Sequence, residues 1–531
     1  MTFYSLPFLC FLAVTILIYF STPKRFRWIV LLTASYVFYF VNSKWLIFVL
    51  FGQTAVTYAA GLLIRRVQDR GKLYLSEHKE DLSKEERKAV KGRTRRSAKH
   101  ILLIGAALNL GILLLLKYSN FFIDNVNRML SFSGIRLPST CFLLPLGISF
   151  YTLQALSYLI DIYREKLEPD RNLGKFMLFL SFFPQIVQGP IPRHAQLAAQ
   201  LYAGHSFDLK RLERGAQLIL WGWIKKLIIA EYLALPVARI FSDYQAYPGS
   251  AVFLGAAFYG LQVYADFSGG MDMARGVSEI FGIGLQQNFR QPYFSVSVED
   301  FWRRWHITLG EWMRDYVFYP LSLSGAFTAL GRKARKWLGN SAGKRLPSFL
   351  SMFLVYFLVG FWHGPEWKYI AYGIWNGIFI ASSILLTDVY GRMRGALRIR
   401  GDSLPWHIFQ ILRTFFLITL GRFFSRADSF PIAIRMMGRM ASGLFDFRWI
   451  NRAGLEDLGL NLRSWACLLI FLAIAFAVDL LHERNTAIRE EISKKPIVIR
   501  WAVYYAAIFA IMIFGVYGPE YDPAAFIYEQ F

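Results

Sequence analysis

The chain has 531 residues, 55% of them hydrophobic and 17% aromatic, with only 18% charged. Soluble domains carry about a quarter charged residues and about half apolar ones, so this balance excludes a string of ordinary soluble domains. The net charge of +24 is concentrated between apolar runs, as on the cytoplasmic side of membrane proteins, which argues against a nucleic-acid partner.

Apolar runs long enough to cross a bilayer as helix recur at roughly 6–22, 27–42, 44–64, 101–117, 142–161, 215–235, 251–267, 347–363, 368–387, 405–421, 465–481 and 499–517. Strand-like alternation is missing, which leaves an all-α polytopic membrane protein of about 11–13 spans with re-entrant and interfacial pieces. The first run, Leu6 to Phe20, has no preceding basic residue and no small-residue cleavage site, and reads as a retained span. Cys10, Cys141 and Cys467 lie in or beside apolar runs with no metal or disulfide spacing, and are expected as small core residues.

Lysine and arginine set the expected sidedness. The stretch STPKRFR and the long basic loop 65–100 both fall in the cytosol if the N-terminus lies outside. The loop is charged and helix-prone, and is expected to be a solvated helical hairpin. The segment 173–192 contains Pro184, Gly189, Pro190 and Pro192, which break a helix. It is therefore expected to enter and leave on one side, with its irregular backbone buried in protein. The span 251–267 then runs inward, 268–346 is cytoplasmic or interfacial, and 347–363 runs outward. The C-terminal segment 518–531 falls outside. Loop 422–463, outside by parity, contains Arg422, Arg426, Arg435, Arg439, Arg448 and Arg452 and does not fit the charge rule.

The chemistry-bearing residues concentrate between Tyr264 and Pro365. In SVSVEDFWRRWHITLGEWMRDY, Ser297 and Asp300 form a capping-box-like start. Trp302, Trp305, His306, Leu309, Trp312, Met313 and Tyr316 then share one face of an expected amphipathic interfacial helix. His363 closes the apolar run FLVGFWHGPEW ahead of the helix-stop pair Gly364–Pro365. An imidazole at membrane depth is costly and suits removal of a hydroxyl proton. Each histidine also has a plain alternative as an amphipathic or interfacial anchor. Asp266 and Asp272 flank Ser268–Gly269–Gly270, where capping and a turn are favoured over a cation site. His194, and likewise His78, His100, His205, His407 and His482, read as loop or span-end residues. There is no G-x-S-x-G elbow, H-E-x-x-H or P-loop, and no metal is expected.

In order, FFPQIVQGPIPR, YADFSGGMDMARG, NFRQPY, DFWRRWHITLGEWMRDYVFYPL and GFWHGPEW resemble the bacterial membrane-bound O-acyltransferase (MBOAT) family. The likeness is to the branch of alginate and peptidoglycan O-acetylation membrane subunits, with the teichoic-acid D-alanylation protein nearby. It covers most of the chain and is densest over 180–365. It implies one membrane-embedded domain over 1–531, with an outer funnel and a narrow path to the cytosol. His363 would be the catalytic base, and His306 the second polar position on the cytoplasmic approach. Pro184, Gln185, Asp266, Asn288, Trp305 and Trp362 would be structural or tunnel positions.

The implied reaction uses no bound cofactor. A cytosolic acyl thioester, acetyl-CoA or the phosphopantetheine of an acyl carrier protein, would present its acyl group through the tunnel for attack by a hydroxyl that His363 deprotonates. Arg303, Arg304 or Arg314 would meet donor phosphates or, equally, lipid headgroups or acidic side chains. Expected partners are the lipid bilayer of the bacterial plasma membrane, an extracytoplasmic acyltransferase, secreted or anchored, and a polysaccharide acceptor. The terminal FIYEQF resembles the end of the small partner of the D-alanylation system, which makes Tyr528 an expected acyl relay or else a packing residue. D-alanyl transfer to teichoic acid is the alternative within the family, disfavoured by the basic loop 65–100. A transporter or channel is the alternative class, disfavoured because no paired halves are visible.

Overall fold

The computed structural model describes residues 1–517; Tyr528 and the rest of 518–531 lie outside the described residues. Among those described, regular structure is helical, with a single isolated antiparallel bridge between Phe289 and Trp305. The apolar runs singled out in the sequence lie mainly on helices, though the run 142–161 becomes helical only at Ile148. Six of the helical stretches are long and apolar enough to cross a membrane unaided, or seven if the bent pair Trp367–Leu385 and Thr387–Ala396 is one span.

Two compact units emerge, Met1–Gly215 with Val277–Gln286, and Ala216–Gly276 with Gln287–Phe531. In the first, the helices Ile47–Glu77, Lys84–Leu113 and Ile148–Tyr163 pack through small residues. A Cβ on Gly105 would lie 3.0 Å from both Ala60 and Leu159, so the glycine sets the approach of the backbones. Buried amides satisfy backbone groups here: Gln53 donates across the contact to the Asn109 carbonyl at 3.0 Å, and Asn109 donates within its own helix to that of Gly105 at 2.8 Å. The basic stretch 65–100 is the helical hairpin expected, continuous with both spans. Its second helix is started by a capping box in which Ser83 and Glu86 satisfy each other's backbone N–H groups.

The proline-rich segment 173–192 breaks into Leu173–Ser181 and Phe183–Ile186, followed by irregular backbone. The longer helix has nine residues, about 14 Å of rise, too short to cross the hydrocarbon core. Phe182, Phe183, Pro184, Gln185 and Ile186 are all buried, as such backbone requires. Gln185 donates to the Phe179 carbonyl at 3.1 Å, and the Phe183 N–H reaches Ser35 Oγ at 3.1 Å.

Three local expectations are corrected. His194 is no loop residue: it opens the helix His194–Ala203, buried between Tyr158 and Phe179, with Nε2 2.6 Å from Asp170. Cys10 and Cys141 are exposed, and only Cys467 is buried; runs that face lipid leave such side chains outside the protein core. Asp266 and Asp272 do not flank a turn, because the helix Gly249–Ile280 runs straight through Ser268–Gly269–Gly270. These glycines serve packing instead. A Cβ on Gly269 would stand 2.8 Å from the Gly222 carbonyl and one on Gly222 2.6 Å from that of Gly269.

That close approach brings a π-helical stretch, Ile224–Ala230, against the acidic helix. Lys225 meets Asp272 at 2.6 Å and Ser268 at 2.9 Å; Lys226 meets Asp266 at 2.7 Å and Glu231 at 2.9 Å. All five charged groups are largely buried; Lys226 is shared between two carboxylates, and Asp272 is also met by Arg275 at 3.4 Å.

Candidate active site

The second unit holds both histidines. His363 is the last residue of the helix Gly325–His363, which bends at Gly339 (φ 78°, ψ 169°) before its apolar limb. The limb packs against Trp367–Leu385 through facing glycines: a Cβ on Gly360 would lie 2.9 Å from Gly373 Cα. The chain leaves the helix at Gly364 in an extended conformation, where a Cβ would stand 2.5 Å from the Tyr369 ring. This glycine therefore lets the return helix begin directly beside His363, which is buried.

The expected amphipathic helix is interrupted at its histidine. Ser297 caps Val298–Arg304 as anticipated, accepting from the Asp300 N–H at 3.0 Å. Trp305 is then extended and His306 left-handed (φ 48°, ψ 52°) before Ile307–Met313 begins. A left-handed β-carbon-bearing residue is unfavourable by itself and persists only where tertiary contacts over-determine it. Here the determinant is Asn288 and its neighbours. The Arg290 N–H reaches the Arg304 carbonyl at 2.9 Å, and the Ile307 N–H reaches the Asn288 carbonyl at 3.0 Å. Trp302, Trp305, His306, Leu309, Trp312, Met313 and Tyr316 are all buried, so the shared face lies in protein and not on the membrane surface.

Asn288 also defines the His306 tautomer. Its Oδ1 accepts from the Thr308 N–H at 2.9 Å and hydroxyl at 3.0 Å, which fixes the amide orientation. Its Nδ2 then faces His306 Nδ1 at 3.3 Å. An amide nitrogen only donates, so Nδ1 accepts and the neutral ring carries its proton on Nε2. Burial, and secondly the neighbouring His363 imidazole, push His306 well below the usual histidine range. Its unfolded value is near 6.5, so below that pH the unfolded chain takes up a proton that the folded site refuses. Stability is therefore expected to fall as pH drops below about 6.5, by at most about 1.4 kcal/mol per pH unit from this group. Melting midpoints in detergent between pH 7.5 and 5 check this: His306→Gln should flatten the slope, and an unchanged slope would contradict it.

Around the two imidazoles the side chains form a closed ring of contacts. His306 faces Trp362 at 5.8 Å between ring centroids, Trp362 faces His363 at 5.2 Å, and His363 faces Tyr372 at 6.1 Å. The Arg422 guanidinium lies 5.9 Å from the Tyr372 ring and 4.7 Å over Trp305, the neighbour of His306. Trp302, on the preceding helix, donates to Asn376 Oδ1 at 3.0 Å. Phe267 stands edge-on to His306 at 5.0 Å, one residue from the Asp266–Lys226 pair.

The structure thus brings His306, His363, Asn288, Trp305 and Trp362 together, and places Asp266 in the adjoining ion cluster. Arg303, Arg304 and Arg314 are engaged with acids: Arg303 with Glu299, Arg304 with Asp300 at 3.1 Å and Glu483 at 2.6 Å, Arg314 with Asp315 at 3.0 Å. Arg422 was missed, because the span 405–421 was ended one residue before it. The helix Leu404–Arg426 in fact continues past it and buries it. The apolar residues Phe423 and Phe424 beyond it were the available signal. Among the described residues no group of three or more His, Cys, Asp or Glu is arranged to hold a metal ion.

Residues 163–400 match the model of the membrane-bound O-acyltransferase family, and the chain belongs to that family; it is an acyltransferase of this membrane type. It is 32% identical over 461 residues to a probable alginate O-acetylase, AlgI, of Pseudomonas syringae pv. tomato, covering 86% of this chain and 79% of that protein. It is 30% identical over 367 residues to the peptidoglycan O-acetyltransferase of Helicobacter pylori, covering 64% of each. To the teichoic acid D-alanyltransferase of Streptococcus thermophilus it is 30% identical over 259 residues, covering 47% of this chain and 58% of that one.

Proposed function

We propose that this protein is a multi-pass O-acetyltransferase of the bacterial plasma membrane. It takes acetyl from a cytosolic thioester, acetyl-CoA or a phosphopantetheine carrier, and passes it outward for O-acetylation of an exported or surface polysaccharide. Both chain ends face outside, and an extracytoplasmic acyltransferase completes the transfer. The observation that supports this reading best is the buried pair of imidazoles, one at a helix end and one on a break in another, joined through Trp362.

In the proposed reaction, His363 takes the proton of the acceptor hydroxyl as its oxygen attacks the thioester carbonyl. His306, neutral and held by Asn288, lies on the donor side. The edge-on aromatic rings packed around the pair keep water from competing as acceptor. Acetyl is favoured over D-alanyl transfer because the likeness to the alginate O-acetylase runs over most of both chains, whereas that to the D-alanyltransferase covers less than half of this one.

The test is reconstitution in sealed vesicles, with labelled acetyl-CoA on the face bearing the loop 65–100 and a polysaccharide acceptor with its extracytoplasmic partner on the other. Ester-linked label on the far side is expected. Label crossing as intact donor would instead establish a transporter, and no transfer from any thioester would overturn the reading.

A further inference from the structure

Arg422 and Tyr372 occupy the one arc of the histidine ring to which the proposed reaction gives no role. Arg422 is 4% exposed, on a helix long and apolar enough to span. A guanidinium is always charged, and at this depth it is costly to keep. Its partners include the rings of Trp305 and Tyr372 and the Tyr293 hydroxyl, and its NH1 donates to the Tyr372 hydroxyl at 3.3 Å. Since the guanidinium occupies a lone pair of that hydroxyl, the hydroxyl's own proton is turned away from Arg422. Its ring in turn packs edge-on to His363 at an interplanar angle of 72°.

On the acyl-transfer reading above, we propose that Tyr372, polarised by Arg422, is the electrostatic half of the transfer site. As the acceptor oxygen bonds to the thioester carbonyl carbon, its proton passes to His363 and the carbonyl π pair moves onto oxygen. The Tyr372 hydroxyl donates to that oxyanion, and the Arg422 charge behind it offsets the negative charge. Collapse restores the carbonyl, breaks the C–S bond and returns the proton from His363 to the departing thiolate. Tyr372 is thus a catalytic residue, and Arg422 a positioning and charge-supplying one. A donor aimed at an oxyanion in a water-poor site is worth about 10²–10³ in rate.

The experiment measures kcat and KM for acetyl-CoA per mole of folded protein, in detergent, for Tyr372→Phe, Arg422→Lys and Arg422→Gln, with His363→Ala alongside. Tyr372→Phe is expected to lower kcat about 10²-fold, with KM for the thioester little changed. Arg422→Gln should match or exceed that loss, and Arg422→Lys should recover part of it, because the charge is restored without the fork. Loss of folded protein with an undiminished kcat in the fraction that remains would assign the pair a structural role and overturn the proposal. Should Arg422→Gln fail to fold, Tyr372→Phe decides alone, since it removes only an oxygen. If Tyr372→Phe works normally while His363→Ala is dead, this inference fails and the transfer reading stands. If His363→Ala is itself active, the reading beneath both is lost.

Discussion

His363→Gln is expected to reduce acetyl transfer, and cleavage of the thioester donor with it, by about 10²–10⁴-fold, the range associated with a positioned general base. Glutamine preserves polarity and approximate volume at the helix end but accepts no proton at neutral pH. The contacts with Trp362 and Tyr372 are with flat faces and edges that a planar amide partly reproduces. The helix end itself is held by other groups, the glycine pair Gly360–Gly373 and the extended Gly364. Folding and melting midpoint should therefore change little while turnover collapses. The measurement is release of free thiol and formation of acetyl ester by equal amounts of folded wild-type and variant protein. Turnover within a few-fold of wild type would remove His363 from the chemistry.

Replacing Lys226 by Met is expected to destabilise the fold strongly. Lys226 is shared between Asp266 and Glu231, and the side chains involved are 6%, 1% and 15% exposed. Taking away the cation leaves two largely buried carboxylates without it, and breaking a buried pair costs about 3–5 kcal/mol. Against a total stability of about 5–15 kcal/mol, that removes a large part of the margin. Substituting the whole cluster by apolar residues of similar size, Lys226→Met with Asp266→Leu and Glu231→Leu, should recover much of the loss, because no uncompensated charge remains. Size-exclusion profiles and melting midpoints in detergent report both outcomes. A single Lys226→Met variant as stable as wild type would show that the carboxylates are not held by this lysine.

How much of this was legible beforehand differs from residue to residue. The apolar runs were placed on helices because about twenty apolar residues in a row have few other folded uses. The prolines of 184–192 predicted broken, buried backbone, and Phe182 to Ile186 are accordingly interior. Position 363 was marked by a helix-stop pair directly after it. The Asp266–Asp272 stretch misled, because two glycines in sequence resemble a turn. They are instead the contact through which Gly222 and the π-helical lysines approach. Lys225 and Lys226, some forty residues earlier, carry no local mark of that partnership.

By itself the sequence determined the class of molecule, a helical membrane protein with two histidines in the stretch that identifies its family. The reason is that hydrophobic length and helix punctuation are local properties, written in adjacent residues. Only the tertiary structure decided that the helix around His306 breaks, that Asn288 defines its tautomer and that Arg422 joins the ring. A left-handed histidine is held by residues it does not neighbour in the chain, and a buried guanidinium is tolerated by aromatic faces contributed from other helices. Such balances close only once the distant partners are in place.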